Sequence, residues 1–218
     1  QLECGDGDLQ TAYELGLFFA GLNAERRDNP VRTVAFVAHQ ARNTAAFLAF
    51  GCDKIVMQRE VKQGDTVVQP SARLGDFDQY IQEHPSLEPA RRELDLLRKK
   101  ANTGAARAAA RQRRQAAEEQ YRRAVASLES AARKDLEEVA QKQYYPALLA
   151  AGMLSHDLRI RAVAKARGAG GVEFLTEEEW EADQQGERVW RSVEVVKPAP
   201  GADPSAYLTL DAEKARQF

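Results

Sequence analysis

Val34-Ala-Phe-Val-Ala-His-Gln-Ala-Arg-Asn-Thr-Ala-Ala-Phe-Leu-Ala-Phe-Gly-Cys-Asp-Lys-Ile-Val-Met57 is the stretch on which the fold turns. Residues 31–37 are β-branched and apolar, the composition of a strand covered on both faces. Gln40-Ala41-Arg42-Asn43-Thr44 is a short polar turn. Residues 45–50 form an apolar segment long enough for a short helix, and Gly51 stands where a C-terminal cap belongs. Ile55-Val56-Met57 reads as a second buried strand. Strand, turn, helix and strand in this order predict two parallel strands joined by a right-handed crossover.

Working outward, residues 2–4 look like a strand end and Gly5-Asp6-Gly7-Asp8 like a turn. Residues 9–22 carry apolar side chains at helical spacing, among them Leu9, Ala12, Tyr13, Leu15 and Phe19. Gln63-Gly64-Asp65 predicts a hairpin, and an ordered path resumes at 72–77. Together these elements predict a mostly parallel sheet with helices packed on it. From Pro89 to Tyr145 alanine and charged residues dominate. Leu94, Leu97 and Ala101 recur at helical spacing, as do Val125, Leu128, Ala132, Leu136 and Val139. A helical hairpin or one long helix follows, with a break or bend at Gly104.

Beyond it, 147–153 reads as a short helix and 158–163 as a half-exposed strand of period two. Gly168-Ala-Gly-Gly171 is a turn, and 172–175 returns as the second strand of a hairpin. Thr176-Glu-Glu-Glu179 caps and opens a helix. Residues 190–196 form a further strand, 198–204 a loop, and Leu208-Thr-Leu-Asp211 leads into a last helix. The expected organisation is an α/β domain in two parts, 1–88 and 144–218, with a charged helical insertion at 89–143.

The bulk composition excludes several classes. A formal net charge of -2 gives no overall field for a polyanion. Cys4 and Cys52 are too few for a disulfide framework and sit in apolar contexts, as buried thiols do. No run of about 18 apolar residues occurs. The chain opens at Gln1-Leu2-Glu3-Cys4 as if inside a strand and stops as if inside a helix, so a fragment is expected.

Three segments resemble the NfeD-like, membrane-associated serine proteases of the Clp-protease/crotonase superfamily. The first is Leu2-Glu-Cys-Gly-Asp-Gly-Asp-Leu9, similar to the family's strand and glycine-rich turn. The second is the opening stretch, where Gly51-Cys52-Asp53-Lys54-Ile55-Val56-Met57 is similar to the strand after the nucleophile helix. The third runs from Tyr145-Pro146 through Gly152-Met153 to Tyr207-Leu-Thr-Leu-Asp-Ala212. The resemblance covers most of 2–80 and 143–216, leaves 89–142 outside as an expansion, and implies a Clp-protease/crotonase-like parallel sheet plus a long charged helical arm.

It also implies a site. In such enzymes a glycine-rich turn supplies backbone N–H donors to the developing oxyanion, and a serine opens the next helix, deprotonated by a lysine or histidine. Carried onto this chain, Gly7 falls at the donor glycine, Asn43 at the nucleophile, and Thr44 supplies the following N–H. Two departures bear on activity. Asp6 stands where the family has a glycine, and its charge would oppose an oxyanion. Asn43 has no hydroxyl, and its amide nitrogen is delocalised into the carbonyl. The expectation is therefore a degenerate, catalytically inactive member, with an active serine-type endopeptidase using a displaced nucleophile as the alternative. The resemblance further suggests a membrane-associated or periplasmic setting.

Other candidates carry little by sequence. His39 lies beside the turn and is the histidine of interest. Lys54 and Lys62 follow it without a distinguishing pattern. His84 and His156 have no partner at metal-ligand spacing, and no metal or cofactor is implied. Cys4 near the turn reads better as a buried thiol than as a nucleophile. Asp6, Asp8 and Asp76 suit turn and cap roles. Residues 98–114 carry seven basic side chains, including Arg107, Arg111 and Arg114, and no acid. Packing or homo-oligomer contact suits this arm first, then an anionic membrane surface, which makes a scaffold role a third reading. The absence of interleaved aromatics disfavours nucleic acid. A peptide or protein ligand is the partner the family resemblance implies.

Overall fold

The computed structural model describes residues 8–25, 31–100, 107–166, 171–197 and 207–217. The expected strand at 2–4, the Gly5–Gly7 turn, the break at Gly104, most of the turn at 168–171 and the loop at 198–204 lie outside these residues. The chain divides into two units, Gln1–Phe77 with Ala132–Phe218, and Asp78–Ala131.

The first unit is mixed α/β. Helix α1 (Leu9–Glu25) begins at Asp8, whose carboxylate accepts from the Thr11 amide at 2.8 Å and the Thr11 hydroxyl at 2.9 Å. This is the cap role expected of a loop aspartate, and those bonds hold the Asp8 carboxyl below its ordinary range. Strand β1 (Val34–Val37) pairs in parallel with β3 (Lys54–Met57), Val34 opposite Lys54 and Phe36 opposite Val56. Between them lie β2 (Gln40–Ala41) and α2 (Thr44–Gly51). The strand–turn–helix–strand order expected for this stretch is present.

In place of one mostly parallel sheet, the described strands form four small ones. The cause is a bend at Ala38-His39 that separates β1 from β2. Strand β2 pairs in parallel with β6 (Arg73–Gly75), and β6 pairs antiparallel with β10 (Thr209–Asp211). Three backbone bonds bridge the bend: Gln58 donates to the Val37 carbonyl, Ala72 to that of Gln58, and Arg73 to that of His39, at 2.8–2.9 Å. The expected hairpin at Gly64 is β4 (Val61–Gln63) and β5 (Thr66–Gln69), with Gly64 at φ 64°.

Gly51 has a different role from the expected cap. It lies inside α2, and Cys52 after it is extended at φ -86° and ψ 151°. A Cβ on Gly51 would stand 2.5 Å from the Gly16 carbonyl oxygen, and one on Gly16 would stand 2.9 Å from the Phe47 carbonyl oxygen. Helices α1 and α2 therefore cross backbone to backbone. The core grows from that crossing. Ala46 and Phe47 are fully buried, Phe47 meets Phe77 edge to face with centroids 6.0 Å apart, and Phe50 meets Tyr145 likewise at 5.6 Å.

After α6 (Ala147–Met153), strand β7 (Ile160–Lys165) is the centre of an antiparallel sheet between β8 (Glu173–Thr176) and β9 (Trp190–Lys197). The expected alternation holds through Ala162: Arg159 is exposed, Ile160 and Ala162 are buried, and Arg161 between them is half-buried. It ends at Val163 and Ala164, which are both buried; α6 and α7 (Glu177–Gln185) pack against the strand. The Thr176 capping box is present in full: its hydroxyl accepts from the Glu179 amide, and the Glu179 carboxylate accepts from the Thr176 amide. Arg161 grips Glu177 with two hydrogen bonds and lies over the Trp180 ring. The unit closes with β10 and α8 (Ala212–Gln217).

The second unit is helical: α3 (Asp78–Glu83), a 3-10 turn (Pro85–Leu87), α4 (Glu88–Lys100) and the first part of α5 (Arg107–Lys142). Ile81, Leu87, Leu94 and Ala117 form its buried side. Along α5 the expected apolar stripe is buried at Ala132, Leu136 and Val139, all within the first unit. Among the described residues no helix is long and apolar enough to cross a membrane.

The crossing at Gly51 sets a pair of opposite outcomes. Gly51→Ala is expected to destabilise the fold by about 1–3 kcal/mol, because backbone must move to admit the methyl. Gly21→Ala, with nothing within 4 Å of its new Cβ, is expected to stabilise it by about 0.5–1 kcal/mol. Urea unfolding of the two variants measures both shifts.

Candidate functional site

Register fixes where α2 begins. Ala41 is held opposite Leu74 by the β2–β6 pairing, and the helix starts at Thr44, so the chain must reverse within Arg42 and Asn43. Asn43 makes the turn with φ 50° and ψ -126°. Asparagine is among the residues that tolerate positive φ, but the tolerated left-handed region has ψ near +45°. Asn43 is far from it, in a region that suits glycine. A strained residue between a strand and a helix is the backbone arrangement of a nucleophile elbow. Ala41 and Ala45, two positions either side, give the turn the small neighbours that such a bend requires. That spacing was available in the sequence as a signal.

Asn43 and Thr44 are both buried, at 5% and 4% exposure. The Asn43 carbonyl accepts from the Ala46 amide at 3.1 Å and starts the helix. Beside the turn, the Arg42 Nε lies 3.2 Å from the Asp76 carboxylate. Asp76 itself is left-handed at φ 66°, following Gly75 at φ 105°. A Cβ at Gly75 would stand 2.6 Å from the Leu208 carbonyl oxygen, so the backbones of β6 and the C-terminal segment meet closely there.

The other expected site residues are scattered. Gly7, Asp6 and Cys4 lie outside the described residues. His39 is exposed at the bend before β2, and its carbonyl accepts from the Arg73 amide. Lys54 is exposed on β3, and Lys62 is paired with Glu60 at 2.8 Å. A histidine–hydroxyl contact does occur, His84 Nδ1 to Ser86 Oγ at 2.7 Å. It is a local cap: the same nitrogen accepts from the Ser86 amide at 3.2 Å, at the start of the 3-10 turn in the helical unit. His156 stacks on Tyr207 with centroids 4.0 Å apart. The Cys52 Sγ donates to the Leu48 carbonyl at 3.3 Å, and burial pushes the thiol's pKa up, which suits an inert thiol.

A cavity of about 510 Å³ lies in the first unit, lined by Phe50, Ile55, Met57, Tyr145, Leu149 and Leu210 among others. It meets α2 at Phe50, roughly 10 Å along the helix from Asn43. Asn43, Thr44 and His39 are not among its lining residues. In the helical unit a wider hollow of about 750 Å³ is lined by Arg91, Arg98 and Arg122 together with Glu83, Asp95 and Glu118. Opposed charges in equal number give it little net field. Of the basic residues expected to act together, Arg111 is exposed, Arg114 is paired with Glu118 at 2.9 Å, and Arg107 is the first residue of α5. Among the described residues no three His, Cys, Asp or Glu side chains gather as metal ligands do.

Compared with protein-family models, with curated proteins and with solved structures, the chain matches none.

Two outcomes follow from this geometry. Because glycine enters the Asn43 conformation without strain, Asn43→Gly is expected to be more stable than Asn43→Ala by about 1 kcal/mol or more in paired thermal melts. The second concerns Tyr145, whose hydroxyl donates to the Cys52 carbonyl at 3.1 Å. Burial raises its pKa from the ordinary 10.0 to about 12. Below pH 10 the phenol is protonated in both folded and unfolded chains, and its contribution to stability is whole. Between pH 10 and about 12 the unfolded chain ionises first, so this contribution falls as pH rises. Tyr145→Phe is expected to flatten that part of the stability–pH curve, read by denaturant unfolding at stepped alkaline pH.

Proposed function

We propose that this chain is a catalytically silent relative of the NfeD-like serine proteases, with a Clp-protease/crotonase-like ancestry, that binds an extended peptide or partner protein without cleaving it. The observation that carries the reading is Asn43. It occupies an elbow conformation between strand and helix, and its side chain is an amide. Backbone strain of this kind costs about 1–3 kcal/mol and is concentrated at active sites. Its presence without a hydroxyl is what a silenced nucleophile position leaves behind. The Thr44 hydroxyl is one residue along a helix, turned by about 100°, and is buried.

Binding is supported by strand β1. Val34 and Phe36 are 57% and 63% exposed, and alternate residues of a strand share a face. Among the described residues β1 has a paired strand on one side only. An extended segment added there would gain backbone hydrogen bonds and cover both side chains. The same reading places the protein at a membrane or in a periplasm, assembled as a homo-oligomer. A scaffold role through Arg107, Arg111 and Arg114 has less support, because Arg114 is already paired with Glu118.

Fluorophosphonate labelling tests the reading. The native chain is expected to remain unlabelled, as its buried Asn43 has no hydroxyl to react. Fold-dependent labelling of the native chain would establish an active peptidase instead.

A further inference from the structure

The peptide bond from Asn43 to Thr44 joins backbone strain to a reactive side chain. Around the Cα–C bond of an L-residue, the substituents of Cα are about 120° apart. A ψ near that angle with negative sign therefore eclipses Cβ with the next residue's nitrogen. Asn43 has ψ -126°. Extended backbone, with ψ near +135°, and helical backbone, near -42°, both hold the two atoms well apart. Of the torsions that close a five-membered ring through N, C, Cα, Cβ and Cγ, the backbone one is already made, and rotation about Cα–Cβ supplies the other. Thr44 is the first residue of α2, where an amide has no acceptor within the helix.

We infer that Asn43 is a site of structure-promoted succinimide formation. The Thr44 nitrogen attacks the Asn43 Cγ and a new N–C bond forms. The Cγ–Nδ2 bond breaks, the Thr44 amide proton passes to the departing nitrogen, and ammonia leaves. No oxidant or reductant takes part. Water can later add to either ring carbonyl and open the ring to aspartate or isoaspartate. Burial of Asn43 and Thr44, at 5% and 4% exposure, slows that second step, so the imide accumulates. The ring fixes ψ near the value the fold already imposes, and it therefore stiffens the turn without displacing α2. This inference rests on backbone geometry and does not depend on protease ancestry.

The test is made on the full native chain, incubated at mildly alkaline pH beside the same chain unfolded in guanidinium. Cleavage with a lysine-specific protease leaves the fragment ending at Lys54, with the bond between Arg42 and Asn43 intact. Fragment-ion mass spectrometry then locates any loss. The expected result is conversion at Asn43, counted as the imide (lighter by one ammonia) together with the aspartate and isoaspartate it opens to, at least about tenfold faster in the native chain than in the unfolded one. Asn43→Gln, which would need a six-membered ring, is expected to show none. A native rate short of that margin, or conversion at Asn23 in place of Asn43, would overturn the inference.

Discussion

The contact between Gly51 and Gly16 is the constraint on which the α/β unit depends. Helix α2 has only eight residues, too few to be stable alone. Its C-terminal end is held by the backbone of α1, at a distance that admits no side chain. The same end is satisfied by donors from the segment after α5: Gln143 Nε2 donates to the Gly51 carbonyl at 3.0 Å, and the Tyr145 hydroxyl to that of Cys52. These bonds replace a left-handed glycine cap, which explains why Gly51 is free to serve packing. With one end of α2 pinned in this way and β2 pinned by β6, the residues between have no slack. The strain at Asn43 is the consequence. It is sustained because pairing and packing on both sides over-determine the path, including the Phe47–Phe77 contact one turn into the helix.

Charge in the helical segment is arranged mostly within single helices. Arg92 pairs with Glu88, Arg114 with Glu118, Arg123 with Glu119 and Arg133 with Glu137, each one turn apart. Such exposed pairs are screened by solvent and weak, so they support helicity more than they specify a partner. They also reduce the field that the run of basic residues presents in the sequence. Acids four positions away in either direction were legible, but the rotamers that bring them together were not.

The sequence reading succeeds where one local rule decides. The periodicity of α1, the turn residues before α2, the Gly64 hairpin, the Thr176 capping box and α6 all follow from chemistry within a few positions. It falls short where distant segments decide. Glycine after an apolar helix suggests a cap, and only the approach of Gly16 shows Gly51 as a crossing point. Alternation at 158–163 places Arg159 and Arg161 on the wetter face, and only the packing around Val163 and Ala164 shows where the alternation stops. The split of the parallel pairing depends on a bend at Ala38-His39 that composition does not mark. At the site, Asn43 and Thr44 were legible as a turn entering a helix. The small residues Ala41 and Ala45 mark where such a bend fits, while the dihedral angles themselves come from register and packing.

The identity of residue 43 then decides what the strained turn can do. In a serine enzyme the elbow's value is that it presents a hydroxyl outward from a rigid bend. An asparagine in the same backbone state presents a carboxamide, which is a poor nucleophile but an electrophile at Cγ. The ψ angle that the bend enforces eclipses Cβ with the following amide nitrogen, which leaves only rotation about Cα–Cβ to bring that carbon to it. An asparagine in this backbone state thus differs from a serine in more than the lack of a hydroxyl. Its electrophilic carbon can meet the chain's own backbone nitrogen, where a serine hydroxyl would attack an external carbonyl.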